Sequence, residues 1–131
     1  MIPVKKIIAT SKAPSAIGPY SQAVAAGDFL YVSGQIPIDP ATGNLVEGDI
    51  QAQSTQSLKN VKAIVEAAGC SMSDVVKTTV LLKNIADFAP MNEVYATFFT
   101  GDCPARAAFA VADLPKGALV EIEAVVYTGN K

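Results

Sequence analysis

Arg106 is the sole arginine of the chain, whose other cations are all lysines, and it stands in Cys103-Pro-Ala-Arg106 just before an apolar run that reads as a strand. A guanidinium presents a planar fork that grips a carboxylate or phosphate through two parallel bonds, which an ammonium cannot do. Position leaves two roles open: a surface or interface salt bridge, with Glu121 or Glu123 as partner, or an anchor for a small carboxylate ligand. The two glutamates alternate along the last apolar run. A strand there sets Leu119, Glu121, Glu123, Val125 and Tyr127 on one face and Val120, Ile122, Ala124 and Val126 on the other. The wholly apolar face is core, so the mixed face reads as a subunit interface with acids in it. Each glutamate is then an ion-pair partner in that interface or, in an apolar pocket, a carboxyl of raised pKa that handles protons.

Gly18-Pro-Tyr20 and Ser33-Gly34-Gln-Ile-Pro37 bring small residues to a loop and a strand end, where backbone can approach a ligand; turn chemistry alone also accounts for them. Ser33 has no partner base in the sequence, which argues against a nucleophilic role. The chain contains no His, and this removes the triad imidazole, the usual general base and the commonest metal ligand. No metal site is expected. Cys70 follows Gly69 and reads as a small buried residue, while Cys103 reads as more exposed but without an activating neighbour, so thiol catalysis is not expected. The two cysteines lack CxxC spacing and fall far short of a secreted disulfide framework, which fits a reduced, intracellular setting.

These groups must be held by a chain of 131 residues, the size of one ordinary domain. Half of it is hydrophobic and 17% is charged, against roughly 25% in a typical soluble domain. Such a chain folds, and it has few polar groups to cover its surface, so a homo-oligomer is expected. A net charge of -2 and a pI near 5.0 argue against a grip on nucleic acid or anionic membrane. In Met1-Ile-Pro-Val-Lys-Lys-Ile-Ile the lysines interrupt the apolar stretch, and no 18-residue apolar span follows, so a soluble, cytoplasmic protein is expected.

Pattern predicts a short strand over Lys5 to Ala9, a turn-rich loop from Ala13 to Tyr20, and a hairpin of Gln22 to Ala26 and Phe29 to Ser33 around Gly27-Asp28. A loop with Pro37, Pro40 and Gly43 leads to a helix from Asp49 to Ala68, with Asp49 near its start and Gly69 beyond its end. Val75 to Lys83 reads as a strand. A second helix runs from about Asp87 to Thr100, with Asp87 as N-cap, Pro90 in its first turn and Gly101 closing it. Ala107 to Val111 and Ala118 to Tyr127 are the last strands. The order β-ββ-α-β-α-ββ implies an α+β layer, one mixed sheet with two helices packed on one face.

Ala16-Ile-Gly-Pro-Tyr20, Ser33-Gly-Gln-Ile-Pro37, Pro104-Ala-Arg106 and Val120-Glu-Ile-Glu123, in this order and spacing, resemble the Rid (YjgF/RidA) family of enamine/imine deaminases, most closely its RidA branch. The resemblance implies a chorismate-mutase-like subunit in a homotrimer with clefts between neighbours. It implies hydrolysis of 2-iminobutanoate and 2-iminopropanoate to 2-keto acids and ammonia, with no cofactor. Carried over by position, Arg106 matches the arginine that grips the substrate carboxylate and Glu121 the acid that positions the hydrolytic water. Tyr20, Ser33, Gly34 and Asn92 match cleft-lining residues, Tyr20 joining Arg106 and Glu121 in the implied catalytic set and the others binding substrate. Many RidA relatives have Cys two residues after the arginine; here that position is Ala108, which leaves only main-chain contacts to the substrate. The family also holds members described as translation inhibitors or ribonucleases, a reading that the acidic balance and missing His support poorly. A ligand-binding module without turnover and a chaperone-like interaction protein are the rival classes.

Overall fold

The computed structural model describes residues 4–129, so the start of the N-terminal stretch, Met1 to Pro3, lies outside the described residues. The chain runs β1 (Lys6–Ile8), β2 (Ala23–Ala26), β3 (Phe29–Gln35), α1 (Ile50–Ala67), β4 (Val75–Leu82), α2 (Phe88–Phe98), β5 (Ala105–Ala110) and β6 (Val120–Tyr127). This is the expected order, with short 3-10 turns added at Met72–Asp74, Ile85–Asp87 and Pro115–Gly117. Gly27, at a φ of 59° that costs glycine nothing, turns β2 into β3. The Asp49 side chain accepts the Ala52 N–H at 3.0 Å and caps α1, and Gly69 at φ 82° ends it. Leu58, Val61, Ile64 and Val65 of that helix are completely buried against the sheet.

The six strands lie in the order β1-β2-β3-β6-β4-β5. All neighbours are antiparallel except β4 and β5, which run parallel because α2 carries the chain back between them. Val120, Ile122 and Val126 are fully buried under the helices, as the period of β6 predicts. On the opposite face Glu121, Val125 and Tyr127 are half-buried, and Phe29, Tyr31 and Phe109 are exposed. Phe29 and Tyr127 meet edge to face at 5.7 Å, so the open face is aromatic and apolar as well as acidic.

Several boundaries differ from expectation: β3 runs on to Gln35, β6 opens at Val120, and three differences lie around α2 and β5. Asp87 does not cap α2 through its side chain: it ends a 3-10 turn and has ψ near 0°, whereas an N-cap needs extended backbone. Phe99, at φ -126° and ψ 86°, has already left the helix, which therefore ends before Thr100. The strand expected to open at Ala107 opens at Ala105, which puts Arg106 inside it. That shift of two residues fixes the direction of the arginine side chain. No helix among the described residues is long and apolar enough to cross a membrane.

Candidate active site

Glu121 sits where β3 and β6 lose register. Val32 pairs with Ala124 and Gln35 with Ile122, so Ser33 and Gly34 together oppose Glu123 alone, a bulge of the kind that re-aims side chains beside binding sites. Gly34 backbone passes directly under the Glu121 side chain. A methyl group added at Gly34 would collide with Oε2 and stand 2.9 Å from Cδ, so only glycine lets the carboxyl lie there. Ser33 Oγ donates to the Ser21 carbonyl at 2.6 Å, and its N–H donates to the Gln22 carbonyl at 2.9 Å. The Ser33 hydroxyl thus ties the bulge to the Tyr20 loop. Gln22 fixes that loop from below, its Nε2 donating to the Thr10 and Pro14 carbonyls at 3.0 and 2.7 Å.

Tyr20, Ser33, Gly34, Glu121 and Glu123 line one concavity of about 440 Å³, walled by Ile17, Ile36 and Pro115. Burial, and then the negative charge of Glu123, raise the Glu121 pKa above the ordinary carboxylate value. A neighbouring groove of about 470 Å³ along β1 shares Tyr20 but is lined by no carboxylate and no cation.

Arg106 is elsewhere. It pairs with Thr78 of β4, and Thr78 pairs with Ala124 on the helix-covered face; Glu121 and Phe109 both pair with Leu81 on the open face. Cross-strand partners share a face, so within one chain Arg106 and Glu121 point to opposite sides of the sheet. The expected pairing of Arg106 with Glu121 or Glu123 is therefore absent within the chain, and the cation does not offset the raised pKa there. Arg106 Nη1 instead donates to Asn92 Oδ1 of α2 at 2.7 Å, and Ala108 follows on the same face. Tyr95 and Phe88 flank the guanidinium, and the Tyr95 hydroxyl, its pKa raised mainly by burial, shares a 2.7 Å hydrogen bond with Thr78. Neither Phe88 nor Tyr95 is among the site residues expected from sequence; their spacing of four and three about Asn92 was the available signal.

The structure thus gathers the proposed site residues into two sets: Tyr20, Ser33, Gly34 and Glu121 at the bulge, and Asn92, Arg106 and Ala108 at the sheet edge. Among the described residues no cluster of His, Cys, Asp or Glu could hold a metal ion. A mixed sheet backed by two helices, with a carboxyl seated in a concavity of its open face, defines a class of α+β proteins suited to small polar ligands.

The chain belongs to the endoribonuclease L-PSP family, whose model matches residues 10–128, and within it stands with the Rid (YjgF/RidA) proteins that the motifs resemble. It is 55% identical to rat 2-iminobutanoate/2-iminopropanoate deaminase over 96% of this chain and 92% of the relative. The structure of RidA from the Antarctic bacterium Psychrobacter sp. PAMC 21119 superposes with a TM-score of 0.90 at 52% identity, covering 93% of this chain and 98% of that one. E. coli TdcF with bound serine matches with a TM-score of 0.90 at 49% identity over the same shares.

Proposed function

We propose that this chain is a 2-iminobutanoate/2-iminopropanoate deaminase, one catalytic domain that hydrolyses these imines to 2-keto acids and ammonia without a cofactor. The observation that carries the mechanism is the Glu121 carboxyl, half-buried over Gly34 with a raised pKa. The rat relative's name and the serine bound in TdcF support a small amino- or imino-acid ligand. Imines are already electrophilic, so the protein has only to orient one, place a water and move a proton. Ionised Glu121 takes a proton from water as its oxygen bonds to the imine carbon. It returns that proton to nitrogen, then carries the hydroxyl proton of the tetrahedral intermediate to the same nitrogen, so that the C–N bond breaks, ammonia leaves and the oxygen becomes the carbonyl. Arg106 grips the substrate carboxylate, with Asn92 bracing it. Tyr20, Ser33 and Gly34 line the cleft, and β5, an edge strand, offers open backbone groups near Ala108.

Because Arg106 and Glu121 face opposite sides of one sheet, a complete cleft needs the arginine set of one copy against the glutamate set of another. The apolar aromatic open face supports such assembly, in a homotrimer with clefts between subunits. A chain of net charge -2 without His is poorly equipped to bind or cleave nucleic acid, and two cysteines without CxxC spacing suit a reduced, cytoplasmic setting. Coupling the protein to a threonine or serine dehydratase and following keto-acid release tests the activity. Keto acid appearing no faster than by spontaneous hydrolysis, with ligand still bound, would favour a sensor without turnover.

Gly34→Ala isolates the seat of the carboxyl. Gly34 does not have a positive φ, so alanine strains no backbone, and the colliding atoms are the end of the flexible Glu121 side chain. The variant should fold with a near-native thermal midpoint while turnover falls by about 10- to 100-fold, since misplacing a catalytic group by about an ångström costs that much. Wild-type turnover would mean that the carboxyl works from another position.

A further inference from the structure

On α2, Phe88, Asn92 and Tyr95 recur at the i, i+4, i+7 spacing that stacks side chains along one helical face. All three reach Arg106. Asn92 uses one donor of the guanidinium, whose carbon lies 4.7 Å from the Tyr95 ring centroid and 5.4 Å from that of Phe88. Both distances fall within the about 6 Å over which a ring face attracts a cation. The Tyr95 ring is itself held twice, by its hydroxyl bond to buried Thr78 and by Phe99, whose centroid is 4.6 Å away. Thr78 is also the ladder partner of Arg106, so strand register, helix face and ring contacts converge on one side chain. These contacts leave the charge in place: among the described residues Arg106 forms no salt bridge.

We infer that Phe88 and Tyr95 are positioning residues, an aromatic clamp that holds the Arg106 guanidinium in one plane and makes the site selective for 2-imino acids over imines lacking a carboxylate. The inference rests on the deaminase reading above. A free arginine loses much rotamer freedom when a ligand pins it; in the clamp that freedom is gone before substrate arrives. Ring faces are suited to this work because they attract the cation without supplying an anion that would compete with the substrate carboxylate. Asn92, a neutral acceptor, has the same merit.

The test uses the full chain in its native assembly. Calorimetry with 2-oxobutanoate gives a dissociation constant without turnover. The ratio of kcat/KM for a 2-imino acid to that for the same carbon skeleton without the carboxylate gives selectivity. Phe88→Leu keeps an apolar side chain at a half-buried position; it should weaken keto-acid binding and lower the ratio by about five- to tenfold, through KM rather than kcat. Phe88→Tyr restores the ring and should stand near wild type. Tyr95→Phe keeps the ring, loses the Thr78 bond and should fall between. An unchanged dissociation constant and ratio in Phe88→Leu, or equal losses on both substrates with unaltered binding, overturns the clamp. If the wild type binds 2-oxobutanoate but hydrolyses no imine, the deaminase reading fails while the binding series still decides the clamp; if it does neither, both fail.

Discussion

Glu121→Gln should lower imine hydrolysis by roughly 10²–10⁴-fold with little change in assembly, because glutamine keeps the shape and hydrogen bonding of the side chain and removes only its basicity. The cleft sets the sign of the accompanying pH effects. As a base Glu121 must be ionised, and burial and the Glu123 charge push the acid limb of the rate profile upward, against the arginine of the neighbouring copy. The linkage to stability runs the other way. A carboxyl whose folded pKa is raised contributes stability fully below its unfolded pKa and loses that contribution as pH rises through the folded value. Ionised Glu121 is thus a burden on the fold at neutral pH, and Glu121→Gln should melt no lower than wild type there. Glu123 is exposed, and its charge is the second cause of the Glu121 shift. Glu123→Gln should therefore spare the rate at neutral pH and move the acid limb downward, its larger effect falling on assembly. Dehydratase-coupled rates from pH 4 to 8, with melting curves, check all of this; equal rate losses in the two variants would remove Glu121 as the base.

Why some of this could be read from sequence and some could not follows from the range of the interactions involved. Asp49 and Gly69 bound α1 through contacts within a few residues, so their chemistry stood in the sequence and the structure agrees. The alternation of β6 is equally local, and its even residues are buried as predicted. Asp87 failed as a cap because the 3-10 turn before it, and not its own side chain, leads the backbone into α2. The start of β5 was misplaced for a different reason. Ala105–Ala110 is rich in alanine and has no β-branched residue; its strand state comes from pairing with β4, some 28 positions earlier along the ladder. Alternation within a strand also leaves open which of its faces meets which face of its neighbour. Arg106 and Glu121 therefore read as close neighbours, although the ladders through Thr78 and Leu81 put them on opposite sides. The contact of Gly34 with Glu121 depends on the bulge at Ser33 and Gly34, whose local sequence shows only a small residue after a serine.

Arg106→Lys should cost at least about 10–100-fold in imine hydrolysis although the charge is kept, because the lost bidentate pair is worth about 1.5–3 kcal/mol and an ammonium lacks the planar, delocalised cation that the Phe88 and Tyr95 rings attract. Arg106→Ala should cost more. In the assembled cleft the arginine of one copy opposes the effects of burial and Glu123 on the glutamate of the next, so removing it should move the acid limb of the residual activity upward, the opposite of Glu123→Gln. The opposed faces also predict a rescue that no single chain can perform. Sedimentation should report about three chains for wild type and for both Arg106→Ala and Glu121→Gln. When the two inactive variants are mixed, unfolded and refolded together, a cleft that takes its glutamate from an Arg106→Ala chain and its arginine from a Glu121→Gln chain is complete. With random assembly about one cleft in four has that composition, so the mixture should recover about a quarter of wild-type activity per cleft. Recovery at that level requires the two sets of residues to come from different copies. A mixture as inactive as its parts, in particles of three chains, would mean that Arg106 and Glu121 serve separate sites and that carboxylate anchoring by Arg106 is wrong.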